Sequence, residues 1–259
     1  MSVTPVVILT GAGRGIGLAI LNHLLSLPTP PNILAVTRTI TPALKSLAIS
    51  HNNLEAVSVD FSSSSSDLKS EIASSVVGVA VSRWGRVDSL VLNHGVLDPV
   101  AKIEDAKVEQ WGNTFRTNFF SNVELIHGVI GELRKSKGRV VIVSSGAAVG
   151  AYTGWGAYGA SKAAMNHLNM TLALEEPDIT SVAIRPGVVD TDMQVALREV
   201  QGSVMKPEEH AKFITLKKSG TIVKPEDVGA VLGNLAVKAE KGLSGKFLNW
   251  NDDILADYR

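Results

Sequence analysis

Tyr158 and Lys162 stand four residues apart, with Ser145 thirteen residues before the tyrosine. A hydroxyl, a phenol and an amine at this spacing suit proton transfer at a carbonyl. On a helix, residues four apart share a face. There an ammonium can stabilise phenolate and draw a tyrosine pKa down from about 10 toward working pH, as a proton donor and acceptor requires. An amphipathic helix can hold a tyrosine and a lysine at this spacing by chance, so the surrounding elements decide what the pair means.

Near the N-terminus, Val6-Val7-Ile8-Leu9 reads as a buried strand and Leu18, Leu21, Leu24 and Leu25 as the apolar face of a helix. Between them lies Thr10-Gly11-Ala12-Gly13-Arg14-Gly15-Ile16-Gly17. Glycines let backbone approach a pyrophosphate closely and let the helix pack on the strand. The helix N-terminus offers free N–H groups to the anion. The first turn therefore predicts a dinucleotide site on Gly11, Gly13, Arg14, Gly15, Ile16 and Gly17. A second strand ends at Arg38, about 20 residues on, where an NAD site places an acidic residue against the ribose hydroxyls. The residue here is basic. Arg38, with Thr39 beside it and Arg14 in the turn, predicts binding of the 2′-phosphate of NADP(H); two solvated arginines are the alternative.

Short apolar strands are expected near residues 6–9, 33–37, 54–59, 89–92, 139–143, 180–184 and 246–248, alternating with helices at 15–27, 66–84, 107–135, 157–175 and 225–238. Alternation implies a parallel, doubly wound α/β sheet with helices on both faces. Ser62 to Ser66 reads as a loop with a helix cap. Residues 192–222 interrupt the alternation after a strand's carboxyl end, where ligands bind, and read as a substrate lid.

At 259 residues the chain is expected to form one domain, 1–259. Its 25 basic and 25 acidic residues give no net field to hold nucleic acid or an anionic membrane. No apolar run reaches the roughly 18 residues of a membrane helix, and the first strand starts too early for a signal peptide, so the cytoplasm is the expected compartment. With no cysteine, neither disulfide nor thiolate metal site is expected.

Further motifs follow the strands: Val59-Asp60-Phe61, Leu92-Asn93-His94-Gly95, Thr117-Asn118, Val143-Ser144-Ser145 and Arg185-Pro186-Gly187-Val188-Val189-Asp190-Thr191. In this combination the chain resembles the short-chain dehydrogenase/reductase family over nearly its whole length. It departs from the family's Asn-Asn-Ala-Gly at two of the four positions in Leu92-Asn93-His94-Gly95. The region from Ser144 through Tyr158, with Asn166-His167 and the late Asn249-Trp250-Asn251-Asp252, is similar to the fungal benzil reductase and sepiapterin reductase branch.

The resemblance implies a single-domain Rossmann fold and NADPH-dependent reduction of a ketone flanked by a carbonyl or aryl group, such as benzil. It implies that Ser145 bonds the developing alkoxide and Tyr158 donates the proton. Lys162 tunes the tyrosine and bonds the nicotinamide ribose, and Asn118 holds a relay water. Ser145 rather than Ser144 has the family's offset to Tyr158. The resemblance assigns Pro186, Gly187, Val189 and Thr191 to the nicotinamide and Asn93 and Gly95 to the adenosine ribose. Asp60, with Phe61, is either an adenine contact or a helix cap. Tyr152, Trp155 and Met193 could wall an apolar substrate pocket, or Trp155 could pack in the core or at a subunit interface. His94 reads as structural. Asp252 or Asp253 reads as surface charge, or as an anchor for a substrate amine. Small residues on 107–135 and 157–175, including Ala160, Ala163, Ala164 and Leu168, imply a homodimer or homotetramer. A binder of NADP that senses without turnover is the rival to the enzyme; loss of the tyrosine or lysine would mark it, and both are present.

Overall fold

The computed structural model describes residues 4–63 and 65–259. Seven strands, β1 (Val6–Thr10), β2 (Asn32–Thr37), β3 (Leu54–Ser58), β4 (Ser89–Leu92), β5 (Arg139–Val143), β6 (Thr180–Arg185) and β7 (Phe247–Asn249), form one sheet. Their order is β3-β2-β1-β4-β5-β6-β7, parallel throughout. The chain reverses direction of winding between β1 and β4, which opens a crevice at their carboxyl ends.

Alternation along each strand divides the core between two faces. In β1, Val7 and Leu9 pack on one side with Leu21 and Leu24 of α1 (Gly15–Ser26) and Val228, Val231 and Leu235 of α10 (Pro225–Lys238). Val6 and Ile8 face the other side, against Leu125, Val129 and Leu133 of α6 (Ser121–Ser136) and Met165 and Leu172 of α7 (Gly156–Glu175). Sheets covered on both faces have strands that are apolar at every position, and β1 is fully buried throughout.

Three expectations are corrected. A helix α2 (Pro42–Ser50) follows β2, opened by Pro42 in its first turn and by Thr41, whose hydroxyl accepts the Leu44 N–H at 3.2 Å. It buries only Leu44, so it shows almost no apolar periodicity. The 66–84 segment is α3 (Ser65–Glu71) and α4 (Val79–Trp84) joined by a π-helical stretch, Ile72–Gly78. The 107–135 segment is likewise α5 (Val108–Phe115), a π-helical stretch Arg116–Phe120, and α6. Ser64, in the serine run, lies outside the described residues.

The 192–222 segment folds as α8 (Asp192–Ala196), a π-helical turn Leu197–Gln201, and α9 (Pro207–Lys218). Leu197, Met205 and Phe213 from it bury against Leu97, Trp155 and Tyr158, forming a third apolar cluster above the carboxyl edge of the sheet. Among the described residues no helix is long and apolar enough to cross a membrane.

Candidate active site

A cavity of about 670 Å³ runs along the carboxyl ends of the strands, from Arg38 and Asp60 at one end to Trp155 and Phe213 at the other. The β1–α1 turn forms its floor. Gly11 has φ +67, and a Cβ there would meet Asn93 Nδ2 at 2.8 Å. At Gly17 a Cβ would lie 2.1 Å from the Gly11 carbonyl oxygen, so this glycine sits behind the wall and sets how closely α1 packs on β1. The Asn93 amide donates to the carbonyls of Thr10 (3.0 Å) and Gly11 (3.2 Å), tying the end of β4 to the turn. Arg14, the residue that opens α1, is extended and caps no backbone N–H with its side chain. The open first turn and the glycine backbone fit a pyrophosphate.

Gly11, Gly13, Arg14, Gly15, Ile16, Arg38, Asp60, Phe61, Asn93 and Gly95 all line this half of the cavity. Gly17 and Thr39 do not; the Thr39 carbonyl accepts the Thr37 hydroxyl at 3.3 Å. Asp60 accepts the N–H (3.0 Å) and hydroxyl (2.7 Å) of Ser62, and these bonds hold its carboxyl below the usual range. It caps a turn while still facing the cavity. Arg38 makes no ion pair among the described residues and remains open to an anion.

His94 is buried and stacks on Phe61 with ring centroids 3.9 Å apart. Its Nδ1 lies 2.8 Å from the Thr10 hydroxyl and its Nε2 2.8 Å from that of Ser121. Because Ser121 donates its proton to the Thr117 carbonyl at 2.7 Å, Nε2 carries hydrogen; the Thr10 hydroxyl has two acceptors, Nδ1 at 2.8 Å and the Val91 carbonyl at 3.1 Å, and the neutral ring takes its proton at the shorter contact. That bonding suits the neutral ring. Burial, reinforced by the Lys162 charge, drives the pKa down to about 3.

At the other end, Tyr158 and Lys162 lie on one face of α7, both buried. Lys162 Nζ donates to the Val143 carbonyl at 2.8 Å and lies 5.8 Å from the tyrosine ring centroid. The adjacent serines have separate environments. Ser144 donates to the Asn166 side-chain oxygen at 2.6 Å, whereas Ser145 accepts the Ala147 N–H at 3.1 Å and keeps its own proton to give.

The expected lowering of the tyrosine pKa is not what this arrangement produces: burial raises Tyr158 above the ordinary phenol range, and the Ser145 hydroxyl acts in the opposite sense. The ammonium points to a carbonyl and is itself pulled down to about 8 by burial.

Asn118 is fully buried and off the cavity wall. Its amide donates to the Val96 carbonyl (2.8 Å) and the Ser161 hydroxyl (3.1 Å) and accepts the Val96 N–H (2.8 Å). Both amide protons are taken, so a water held by Asn118 would be the donor, to one of its oxygens.

Pro186, Gly187, Val189, Thr191 and Met193 line the cavity as well. Tyr152, Trp155 and Phe213 form its aromatic end, with Trp155 stacked on Phe213 at 5.7 Å and edge-on to Tyr158 at 5.8 Å. Wall and core are thus the same place for Trp155. Sequence reading missed Arg185, Gln194, Lys212 and Phe213, which also line the cavity; only the position of Arg185 beside Pro186-Gly187 could have signalled one of them. Asp252 lies elsewhere, its carboxylate taken by the backbone N–H (2.8 Å) and amide (3.0 Å) of Asn249. Among the described residues no group of three His, Cys, Asp or Glu side chains could hold a metal ion.

Fold and site together define an oxidoreductase, and comparison with known proteins agrees. The short chain dehydrogenase model matches residues 5–202. The chain is 43% identical to an uncharacterised oxidoreductase of Schizosaccharomyces pombe, covering 96% of this chain and 97% of the relative. It is 36% identical to a benzil reductase ((S)-benzoin forming) of Saccharomyces cerevisiae, covering 96% and 97%. A crystal structure of a short-chain dehydrogenase/reductase from Saccharomyces cerevisiae superposes with a TM-score of 0.92 at 39% identity, covering 98% and 99%. The chain belongs to the short-chain dehydrogenase/reductase family, in the branch that includes benzil reductases.

Proposed function

We propose that this protein is an NADPH-dependent carbonyl reductase acting on a ketone with an aryl group or a second carbonyl beside it, benzil being the model substrate. The observation that carries the reading is one cavity joining two chemistries. Its glycine-turn end presents open N–H groups with Arg14 and Arg38; its aromatic end presents the hydroxyls of Ser145 and Tyr158. The benzil reductase relative supports the substrate class.

When bound, the reduced nicotinamide supplies hydride. The protein's part is protonic and electrostatic. Ser145, its oxygen already accepting from Ala147, donates its hydrogen to the carbonyl oxygen, and Tyr158 gives its proton as negative charge builds there. A raised phenol pKa keeps Tyr158 protonated before reaction. Lys162, a few ångströms off, stabilises the phenolate that results and reaches the nicotinamide ribose. Asn118 acts in this reading as a positioning residue, bracing the Val96 backbone and Ser161 on α7. The aromatic walls exclude water and seat the flat substituents. Residues 192–222 serve as the lid.

Exposed Phe120 just before α6, Val123 on α6 and Met170 on α7 favour pairing of two copies there. Light scattering that gave only monomer would remove that part of the reading.

The decisive experiment follows nicotinamide absorbance with NADPH, and separately NADH, against benzil and aryl ketones. Consumption of NADPH, with loss of at least about 100-fold in Tyr158→Phe and retained cofactor binding, is expected. Near wild-type reduction by that variant would overturn the mechanism. Tight NADPH binding without turnover of any carbonyl would favour a sensor.

A further inference from the structure

Resting on the reductase reading, we propose that the physiological substrate is a keto acid, with its carboxylate held by Arg185 and Lys212 while its ketone faces Ser145 and Tyr158.

Arg185 ends β6, and its main chain is fixed by the Trp250 N–H bonding its carbonyl at 3.0 Å. The side chain crosses Gly146, the residue after Ser145. Nε, Cζ and Nη2 lie 2.7, 2.8 and 2.9 Å from the point a Cβ on Gly146 would occupy. Only a glycine lets the guanidinium lie this close to the reacting end of the cavity. It is half-buried there, yet its guanidinium makes no ion pair among the described residues. A guanidinium has five N–H donors in a fork that matches a carboxylate.

Lys212 reaches the same space from α9. It lines the main cavity with Arg185, and both also line a smaller adjoining cavity of about 430 Å³. Its Nζ lies 3.5 Å from the Tyr152 hydroxyl and makes no ion pair among the described residues. Among the described residues none of the acidic groups nearby forms an ion pair with either cation. Asp98 accepts the Gln201 amide at 2.6 Å, Glu209 accepts the Thr153 N–H at 3.0 Å, and exposed Glu208 lies on the adjoining cavity. Arg14 and Arg38 lie at the glycine-turn end, so Arg185 beside Gly146 and Lys212 beside Tyr152 are surplus to the cofactor. A neutral diketone would leave both unanswered.

In the reaction, the keto carbon gains hydride from the reduced nicotinamide and its oxygen gains the Tyr158 proton, while the carboxylate stays ionised on Arg185. The product is a hydroxy acid, with oxidised nicotinamide.

Benzoylformate and its methyl ester test this, since they differ only in the charge beside one aryl ketone. The ratio of kcat/KM for acid over ester is expected to be tenfold or more in the wild type and to fall to about one in Arg185→Gln. Lys212→Gln, on an exposed helix, is expected to lower the ratio severalfold, which keeps the test open if the arginine variant folds poorly. Calorimetry reads the same site without turnover: mandelate, with NADP present, should bind the wild type at least tenfold more tightly than Arg185→Gln. Reduction of both ketones with a ratio near one, unmoved by either variant, would overturn the keto-acid proposal and leave the reductase reading standing. Arginine-dependent mandelate binding with neither ketone reduced would overturn the reductase reading and keep the anion site. Failure of both readouts overturns both.

Discussion

The Arg14 guanidinium spans the mouth of the cavity to the Asp192 carboxylate at 3.3 Å, joining the glycine turn to the first residue of α8. Both side chains are about three quarters exposed, at 74% and 73%, so the pair itself contributes little to stability. Its consequence is competition, because Arg14 is one of two cations available to a 2′-phosphate. Asp192→Asn should therefore tighten NADPH binding by about two- to fivefold at low salt, leave NADH binding unchanged, and lose the gain as salt screens the charge. Fluorescence titration with both cofactors would show it. Equal tightening of NADH would mean that the carboxylate acts through α8 and not on Arg14.

Gly17→Ala tests the packing beneath the cofactor. The added methyl carbon would sit 2.1 Å from the Gly11 carbonyl oxygen and 2.6 Å from Asn93 Nδ2, and the first of these is backbone that cannot rotate away. Overpacking of this kind costs about 1–3 kcal/mol. Urea unfolding should show that loss, accompanied by weaker dinucleotide binding since the turn must shift. A variant with wild-type stability and affinity would contradict the contact.

How much of this was readable beforehand depended on whether a residue's surroundings repeat in sequence. The strands were legible because burial on both faces makes each a continuous apolar run, as in Val6-Val7-Ile8-Leu9. Gly11, Gly15 and Tyr158 were legible because their neighbours along the chain impose their geometry. Helix α2 was not, since it buries only Leu44. Arg185 and Lys212 share a cavity through tertiary folding alone, 27 residues apart in sequence. The direction of the Tyr158 shift was misread for a similar reason: spacing puts an amine near the phenol, but it does not show that Val143 turns the ammonium aside or how completely the ring is buried.

Lys162 should cost the fold stability. Burial lowers its pKa from 10.5 to about 8, a penalty of about 3 kcal/mol. Below pH 8 the lysine is charged in both folded and unfolded chains, and the full penalty applies. It fades between pH 8 and 10.5, where the folded chain releases the proton first. Lys162→Met loses the hydrogen bond to Val143, worth about 1 kcal/mol, so it should be more stable than wild type by about 2 kcal/mol at pH 7. The gap should shrink above pH 8 and reverse before pH 10.5, where only the lost Val143 bond remains and wild type is the more stable, with turnover abolished throughout. A gap that does not change with pH would refute the burial argument.

The acid limb of stability should belong in part to His94. Its folded pKa of about 3 lies below the ordinary 6.5 because the buried ring between Thr10 and Ser121 has no room for charge. Above pH 6.5 the ring is neutral in both folded and unfolded chains and no proton is exchanged on folding. As pH falls from 6.5 toward 3, the unfolded chain takes up a proton that the folded chain refuses, and stability drops. At pH 4.5 this amounts to about 3 kcal/mol. His94→Ala leaves two hydroxyls short of a partner and should be less stable at pH 7, but its acid limb should be shallower. Denaturant unfolding of the two proteins at pH 7 and pH 4.5 measures the difference directly. Convergence by about 3 kcal/mol is the expected outcome, whereas parallel curves would show that His94 accepts its proton in the folded state, and that the neutral Thr10–His94–Ser121 bridge is wrongly drawn.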